Sequence, residues 1–374
     1  MTNGRNPYHY GTPVEAEHFT GRDEELAALV SRLRNGINAF VMSPRRFGKT
    51  SLLLRAEREL AADGAAAVHV NVLRCRDLPA LAGALTTAAY HTAGRWHRAA
   101  HAVPEFLKRV RGNPTITFDG DRPKFTFEPR LSDADADTVI ADVYRLLGET
   151  SRKVPALLVL DEFQAVITLA PHLPALLKSL ADEHLHVSLV VAGSKKHLME
   201  GLVASPNAAL YGMAERIELG PLPRPVMAQY LRERAEAGRK RMTAAVAEQL
   251  VDLAWPAPND IQRLAYEAYD AAGARLDEDA VLSGLERAVA HEAATYAERF
   301  ERLSPGQRRL VVAVADESPR QPYAAEFAVR TGLANPSSVR KAVDALEADE
   351  VIVSRDGALA VGDPFFAAWL RASS

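Results

Sequence analysis

The chain has 374 residues and a formal net charge of -3, with 48% hydrophobic and 25% charged residues. This balance is typical of an ordinary globular protein, and the length predicts two or three domains, each with its own core. The small net charge provides no overall attraction for nucleic acid. Cys75 is the single cysteine, which excludes an internal disulfide and a cysteine-based zinc site and predicts a reducing compartment.

The start of the chain and its apolar runs bear on localisation. Residues 1–13 are polar and lack the apolar stretch of a signal peptide. The longest apolar runs, residues 155–160 and 187–193, have the length of a strand, whereas a membrane helix needs about 20 apolar residues. We therefore expect a cytoplasmic protein without a membrane segment.

Short β-rich runs alternate with helical stretches over the first 222 residues. This alternation predicts an α/β fold in which a parallel sheet is covered by helices on both faces. Between the second and third runs, residues 113–129 contain two β-rich tetrapeptides around Asp119-Gly-Asp-Arg-Pro123, which predicts an inserted β-hairpin. The five runs are residues 39–42, 66–72, 156–160, 187–192 and 216–219.

The rest of the chain predicts two further domains. Residues 223–301 are rich in Ala, Glu and Arg with helical spacing of apolar residues, which predicts a helical domain. Residues 302–374 show three helical patterns and then two short β-rich runs around Asp356-Gly357, the outline of a winged helix-turn-helix. The predicted domains are therefore 1–222, 223–301 and 302–374.

A phosphate-binding loop is predicted between the first strand and the helix that follows it. Gly48 allows the backbone to approach phosphates, the helix N-terminus attracts anions, Lys49 reaches the β- and γ-phosphates, and Thr50 can ligate Mg²⁺. Ser43 stands where the usual pattern has its first glycine, and the alternative interpretation is a basic loop that caps a helix. The candidate residues are Ser43, Pro44, Arg45, Arg46, Phe47, Gly48, Lys49, Thr50 and Ser51.

A second motif lies where residues 156–160, an apolar strand, lead into Asp161 and Glu162. Asp161 is predicted to hold Mg²⁺ and Glu162 to orient or deprotonate the attacking water. The alternative is a solvated pair of acids in a loop. Both motifs occur in the expected order with a further strand predicted between them, which favours the additional-strand class of P-loop ATPases with Mg²⁺ and ATP as cofactors.

The sequence also resembles the archaeal-type ATPases, a branch of the AAA+/STAND P-loop group, over nearly the whole chain. This resemblance implies an αβα ATPase core, a helical lid and a C-terminal winged helix. The matching segments are Asn6-Pro7 with Tyr10-Gly11, Phe19-Thr-Gly-Arg-Asp-Glu-Glu-Leu26, Arg45-Arg46-Phe-Gly-Lys-Thr-Ser-Leu52, Leu160-Asp-Glu-Phe-Gln164, Gly193-Ser194 and Asp363-Pro-Phe-Phe366.

The resemblance assigns further roles near the nucleotide. Gly21 and Arg22 are expected to border the adenine, and the alternative is a helix capped by a Thr20–Asp23 capping box. Ser194 is expected at the sensor 1 position beside the γ-phosphate, or else simply forms a turn.

At two further positions where the resemblance implies a role, this sequence departs from the family pattern. Pro258 corresponds to the proline of the lid motif, although Pro256 stands where that motif has glycine. Tyr211-Gly-Met213 lacks the arginine that family members often have there, so Arg216 is the candidate arginine finger, or the chain has none. A missing finger predicts slow hydrolysis.

The charge of the winged helix bears on its partner. Residues 301–374 contain 9 Lys or Arg and 10 Asp or Glu, and residues 337–348, the candidate recognition helix, carry both signs. A DNA-binding face normally has a basic excess, so contact with protein is favoured over DNA.

The sequence thus predicts a slow, ATP-hydrolysing conformational switch whose domains rearrange between ATP and ADP states and which contacts a protein partner or a second copy of itself. No Asn-Lys-x-Asp guanine reader occurs in the sequence, which favours ATP. An ATP-regulated DNA-binding regulator and a non-hydrolysing nucleotide-binding scaffold are the alternatives.

Overall fold

The computed structural model describes residues 6–14, 16–93, 114–119, 122–127, 132–333 and 335–373. The chain divides into two units. Residues Pro13–Pro221 form the first, here called the sheet unit, and the described residues up to Thr12 join Leu222 onward in the second, here called the helical unit. No helix of the described ranges has the length and apolarity that a membrane crossing requires.

The sheet unit alternates strands and helices as the sequence predicts. Its elements are α1 (Asp23–Arg34), β1 (Ala39–Met42), α2 (Lys49–Ala62), β2 (Ala66–Asn71), α3 (Leu78–Ala93), β3 (Pro114–Asp119), β4 (Arg122–Phe127), α4 (Asp133–Ser151), β5 (Ala156–Asp161), α5 (Val166–Leu169), α6 (Leu173–Glu183), β6 (Val187–Gly193), α7 (Lys196–Val203) and β7 (Glu215–Glu218).

Five of these strands form one parallel sheet in the order β2-β5-β6-β1-β7. Every residue of β1, β5 and β6 is buried, as expected for central strands covered on both faces. Strand β6 lies between β1 and β5, the strands that lead into the two predicted motifs. This order confirms the α/β fold of the additional-strand class.

The sheet is covered by a separate apolar core on each face. Leu29 and Leu33 of α1 and Leu52 of α2 pack on one face. Leu81 of α3 and Tyr144 of α4 pack on the other. In the predicted hairpin segment, β3 and β4 pair antiparallel.

The helical unit continues from α8 to the end of the described chain. Its elements are α8 (Arg224–Ala237), β8 (Arg241–Met242), α9 (Ala244–Ala254), α10 (Pro258–Ala271), β9 (Arg275–Leu276), α11 (Glu278–Glu301), α12 (Pro305–Glu317), α13 (Ala325–Arg330), α14 (Pro336–Ala348), β10 (Ile352–Arg355), β11 (Ala358–Val361) and α15 (Pro364–Ser373). Helices α12 to α14 with the β10–β11 hairpin form the winged helix. One continuous apolar core joins it to α8 through α11.

Local signals in the sequence determine the ends of the winged-helix elements. Ser304 caps α12 in a capping box with Gln307, and Pro305 occupies the first turn. Asp356 and Gly357 both have positive φ, 50° and 77°, which matches the right-handed twist of a tight hairpin. Asp363 Oδ1 accepts the N–H groups of Phe365 and Phe366 at 2.9 and 3.1 Å, so it caps α15.

The N-terminal segment belongs to the helical unit, which differs from the expected first domain of residues 1–222. Tyr8 is buried, and its hydroxyl donates to the Leu231 carbonyl at 2.8 Å. Asn6 Nδ2 donates to Asp270 Oδ1 at 2.8 Å, and the Gly11 N–H donates to Asn259 Oδ1 at 2.8 Å. These long-range hydrogen bonds, which a local pattern does not encode, determine where the segment packs.

Candidate nucleotide-binding site

The loop between β1 and α2 exposes the N-terminus of a helix. Gly48 precedes α2 with a φ of 88°, and Arg46 also has positive φ, 70°. No side chain of the described residues caps the N-terminus of α2. The first N–H groups of a helix have no partner within the helix, so an uncapped N-terminus favours an anion there.

The predicted loop residues differ in burial. Ser43, Phe47 and Lys49 are buried, and the Ser43 N–H donates to the Gly193 carbonyl at 3.3 Å. Ser51, in the first turn of α2, is buried and its hydroxyl accepts the Val14 N–H at 3.1 Å. The exposed residues of the loop are Pro44, Arg45, Arg46 and Gly48.

The loop and the end of β5 meet in one polar cluster. Lys49 Nζ contacts Asp161 Oδ1 directly and lies 2.9 Å from Glu162 Oε1. Thr50 Oγ1 donates to Asp161 Oδ2 at 2.7 Å. Lys49 is 5% exposed and Asp161 is 0% exposed, so each charge depends on the other for compensation. The two motifs predicted separately therefore form one site.

Glu162 turns the chain directly after the strand. Its φ is 54°, in the left-handed region that non-glycine residues seldom adopt, which is a feature of strained functional positions. Its backbone N–H donates to Asp161 Oδ1 at 2.8 Å. Its Oε2 accepts from Ser194 Oγ at 2.8 Å and from Gln164 Nε2 at 2.5 Å. Ser194, the predicted sensor residue, thus contacts the predicted catalytic acid.

The surroundings of Glu162 keep it ionised. Burial by itself raises the pKa of this carboxyl, but the charge of Lys49 and the donated hydrogen bonds outweigh burial and lower the pKa below its usual value. An ionised carboxylate accepts hydrogen bonds, which suits a group that orients water.

Gln164 has a place in this cluster that the sequence reasoning did not assign to it. Its Nε2 bridges Glu162 and, at 3.3 Å, Ser194 Oγ. A Cβ added at Gly193 would lie 2.6 Å from Gln164 Oε1 and 2.4 Å from Met199 Sδ, so a larger residue there would displace both side chains. The signal available in the sequence was the pair of segments Leu160-Asp-Glu-Phe-Gln164 and Gly193-Ser194.

Arg22 supports the loop from the side of α1. Its buried side chain places Nη1 2.8 Å from Glu25 Oε1 and Nη2 3.4 Å from the Phe47 carbonyl, and Nη2 also contacts the Gly220 carbonyl. Gly21 precedes it with a φ of 64°.

The alternative capping box of Thr20 and Asp23 is wrong. Arg22 itself occupies the N-cap position and no side-chain cap is made, because α1 begins directly after it at Asp23. The expected adenine contact of Gly21 and Arg22 stays a prediction.

Two predicted residues lie outside the polar cluster. Arg216 lies on the edge strand β7 with an exposed side chain whose Nη2 donates to the Val203 carbonyl at 3.0 Å. Pro258 is the first residue of α10 in the helical unit. The finger role of Arg216 and the lid role of Pro258 stay predictions.

The oxygens of the cluster fit a magnesium ion. Magnesium prefers oxygen ligands and binds through one or two carboxylates together with phosphates and water. Thr50 Oγ1 and Asp161 Oδ2 lie 2.7 Å apart beside the uncapped helix. In the same loop, Ser43 Oγ is buried and has no hydrogen-bond partner in the part of the chain that the structure describes.

Comparison with known proteins supports the fold. Residues 294–372 match a family described as a probable winged helix domain. A Walker-type ATPase of Pyrococcus abyssi is 18% identical with a TM-score of 0.69, and the match covers 98% of this chain and 99% of that one. No curated protein sequence shows a significant match.

Two proteins of Aeropyrum pernix are also similar in structure. Its ORC2 protein, solved in ADPNP–ADP complexes, is 14% identical with a TM-score of 0.57, covering 99% of this chain and 98% of that one. Its ORC1 protein, solved in complex with DNA, is 16% identical with a TM-score of 0.50, covering 96% and 94%. At these identities the likeness shows the fold, and at that level the resemblance to archaeal ATPases is confirmed.

Proposed function

We propose that the sheet unit binds Mg-ATP and hydrolyses it slowly, and that this drives a conformational switch. The observation that carries the proposal is the contact of Lys49 with both Asp161 and Glu162 beside the uncapped N-terminus of α2. A buried lysine, two acids and free helix N–H groups are the parts that phosphoryl transfer requires.

Nucleotide binding is proposed to exchange the partners of Lys49. Without an anion, its ammonium is compensated by the two carboxylates. The phosphates carry more negative charge at the helix N-terminus, so Lys49 moves to them, while Thr50 and Asp161 would hold Mg²⁺. Bound Mg²⁺ neutralises charge on the phosphates.

Hydrolysis is assigned to Glu162. Ser194 and Gln164 hold its Oε2 in place, which leaves Oε1 free to accept from water once Lys49 has moved to the phosphates. Arg216 lies outside the cluster, and an arginine finger contributes about 10³- to 10⁵-fold to turnover in related chemistry. We therefore expect slow turnover until a protein partner or a second copy supplies such a group.

The proposed switch can reach the helical unit through the chain segments that connect the two units. The chain passes between the units after Thr12 and again after Pro221. On the first passage, the Val14 N–H donates to Ser51 Oγ in the first turn of α2. A change at the start of α2 is proposed to act on the N-terminal segment and through it on the helical unit.

Lys49→Ala tests the binding part of the proposal. Loss of a charged hydrogen-bond donor to phosphate costs about 1.5–3 kcal/mol, so we expect the dissociation constant for ATP to rise by about 10- to 150-fold. Titration with a fluorescent ATP analogue measures it. Lys153→Ala, which removes an exposed lysine of the same unit, is the control and should bind like the wild type. An unchanged constant in Lys49→Ala overturns the proposal.

DNA binding regulated by ATP is the second candidate, favoured by one observation on α14. Arg340 and Lys341 are exposed in its N-terminal half, whereas Asp344 and Glu347 are exposed in its C-terminal half. The N-terminal part of a recognition helix is the part that meets the bases in helix-turn-helix proteins. Salt-dependent binding of duplex DNA would support this candidate. Tightly bound ADP without turnover would support the scaffold alternative.

A further inference from the structure

The end of strand β2 places a third polar side chain beside the cluster. Asn71, its last residue, is the register partner of Asp161. Register partners on neighbouring parallel strands point to the same face of a sheet. Asp161 points towards α2, because its carboxylate contacts Lys49 and Thr50 there. Asn71 therefore lies on the α2 face as well.

A second contact fixes the position of Asn71 along α2. Two residues earlier on the same face of β2, His69 Nδ1 lies 2.7 Å from Glu57 Oε1 of α2. Thr50 precedes Glu57 by seven residues, about two helical turns, so both lie on the same side of the helix. Asn71, two residues nearer the carboxyl end of the sheet than His69, thus flanks the Thr50–Asp161 pair.

The side-chain oxygen of Asn71 has no hydrogen-bond partner among the residues that the structure describes. Asn71 Oδ1 is buried and accepts no hydrogen bond from the described part of the chain. Leaving such an acceptor unpaired costs about 1–3 kcal/mol, and the large majority of buried polar atoms are paired. An apolar residue at this position would avoid the cost of burying an unpaired acceptor. The presence of an amide therefore indicates a hydrogen-bond donor from outside the described residues, such as a bound ligand.

We propose that Asn71 is a positioning residue for the magnesium ion of the ATP site. Magnesium gives up its water shell reluctantly and keeps several waters when it is bound by few protein groups. An amide oxygen beside Thr50 and Asp161 accepts a hydrogen bond from one of those waters and so orients the hydrated ion. This inference rests on the proposed function, since it requires Mg-ATP at this site.

Asn71→Leu tests the inference, because leucine has a similar shape and no acceptor. The affinity for a fluorescent ATP analogue is measured by titration in EDTA and again over a series of Mg²⁺ concentrations. We expect no change in EDTA and a rise of about 10-fold in the Mg²⁺ concentration needed for half-maximal binding, the lower end of the cost of losing an outer-sphere partner. Asn71→Asp keeps the acceptor and should keep the Mg²⁺ dependence of the wild type or strengthen it.

A matched control separates this role from a structural one. Asn38 lies just before β1, and its Oδ1 accepts the Leu189 N–H at 2.8 Å while its Nδ2 donates to the Met213 carbonyl at 3.3 Å. Asn38→Leu should lower the thermal stability and leave the Mg²⁺ dependence intact. Asn71→Leu should keep the thermal stability of the wild type, because it removes an unpaired acceptor, and should change the Mg²⁺ dependence.

The outcomes distinguish the two proposals. If the wild type binds nucleotide with Mg²⁺ and Asn71→Leu shows the same Mg²⁺ dependence, the role of Asn71 is wrong and the ATP site stands. If the wild type binds no nucleotide with or without Mg²⁺, the proposed function itself fails. Binding that is independent of Mg²⁺ in the wild type overturns the metal assignment of Thr50, Asp161 and Asn71 together.

Discussion

Each unit of the chain contains a cluster of buried charges, and the two clusters differ in backbone conformation and in the number of buried oxygens that lack a hydrogen-bond partner. In the helical unit, Arg263 is 8% exposed and Glu267 is 3% exposed. Arg263 Nη1 lies 2.5 Å from Glu292 Oε1, its Nη2 donates to the Ala288 carbonyl at 3.0 Å, and its guanidinium lies 4.5 Å from the Phe365 ring centroid. All the residues of this cluster lie in helices, and none of them has a positive φ.

The cluster of the sheet unit has the opposite character. Two non-glycine residues of the site, Arg46 and Glu162, have positive φ. Three buried oxygens in or beside it, those of Ser43, Asn71 and Gln164, have no hydrogen-bond partner within the described ranges. Ion pairs between helices of regular backbone stabilise a fold, whereas a cluster with strained backbone and several spare acceptors is prepared for a ligand. Variants in each cluster should therefore affect different properties.

Glu162→Gln is the variant from which we expect the largest effect. The substitution keeps the size of the side chain and removes the charge that orients water, so turnover should fall by about 10²- to 10⁴-fold. Mg-ATP should still bind, because Lys49, Thr50 and Asp161 are intact. Steady-state hydrolysis and nucleotide titration measure the two effects separately.

The helical cluster supplies the control for this variant. Glu292→Gln makes the same chemical change in the partner of Arg263, and it should leave hydrolysis as in the wild type. If Glu162→Gln hydrolyses at the wild-type rate, the catalytic assignment is wrong and Gln164 becomes the next candidate.

Arg263→Met should have an intermediate effect, on stability. Breaking a fully buried ion pair costs about 3–5 kcal/mol, but Glu292 is 35% exposed and water compensates part of the loss, so we expect about 2 kcal/mol. Trp255 and Trp369 belong to the helical unit, whereas Trp96 falls within residues 13–221, so urea unfolding of a Trp96→Phe background followed by tryptophan fluorescence reports on the helical unit. Loss of hydrolysis without loss of stability would show that this cluster is functional.

His69→Gln should have the smallest effect, confined to a pH window. Burial lowers the pKa of His69, but the hydrogen bond and charge of Glu57, helped by the charge of Asp161 and opposed by that of Lys49, raise it above its usual value of 6.5. A raised pKa in the folded state contributes stability that is complete below 6.5 and is lost as the pH rises through the folded value.

His69→Gln should not show this loss of stability above pH 6.5. The free energy of unfolding that the wild type loses there is about 1 kcal/mol, the contribution of one hydrogen bond. Urea unfolding at a series of pH values measures it. An identical pH dependence in both proteins would show that the His69–Glu57 pair adds nothing to stability.

The parts of the fold that sequence could predict are those encoded locally. The strands β1, β5 and β6 are short apolar runs, and the structure places their ends within one residue of the prediction. The loop at Gly48 and Lys49 follows a strand and precedes a helix, which is the context its motif requires. The winged helix is marked by a capping residue and by a turn at Asp356-Gly357.

The parts that sequence could not predict depend on residues far apart in the chain. Asn71 gains its position only from the register of β2 with β5, and Gln164 only from its close approach to Gly193. Helix α15 was not predicted as an element, although Asp363 and Pro364 are a typical helix start. In each case the missing information is a tertiary contact or a pattern too short to stand alone.

The packing of Tyr8 into the helical unit has a consequence for any attempt to divide the protein. That unit is discontinuous in sequence, because its first contributing residues are separated from the rest by the whole sheet unit. A fragment beginning at Leu222 would expose the apolar residues that cover Tyr8 and leave Asn259 and Asp270 without their hydrogen-bonded partners. A helical unit produced without the sheet unit would need residues 6–12 joined to it, for example by circular permutation through a short linker.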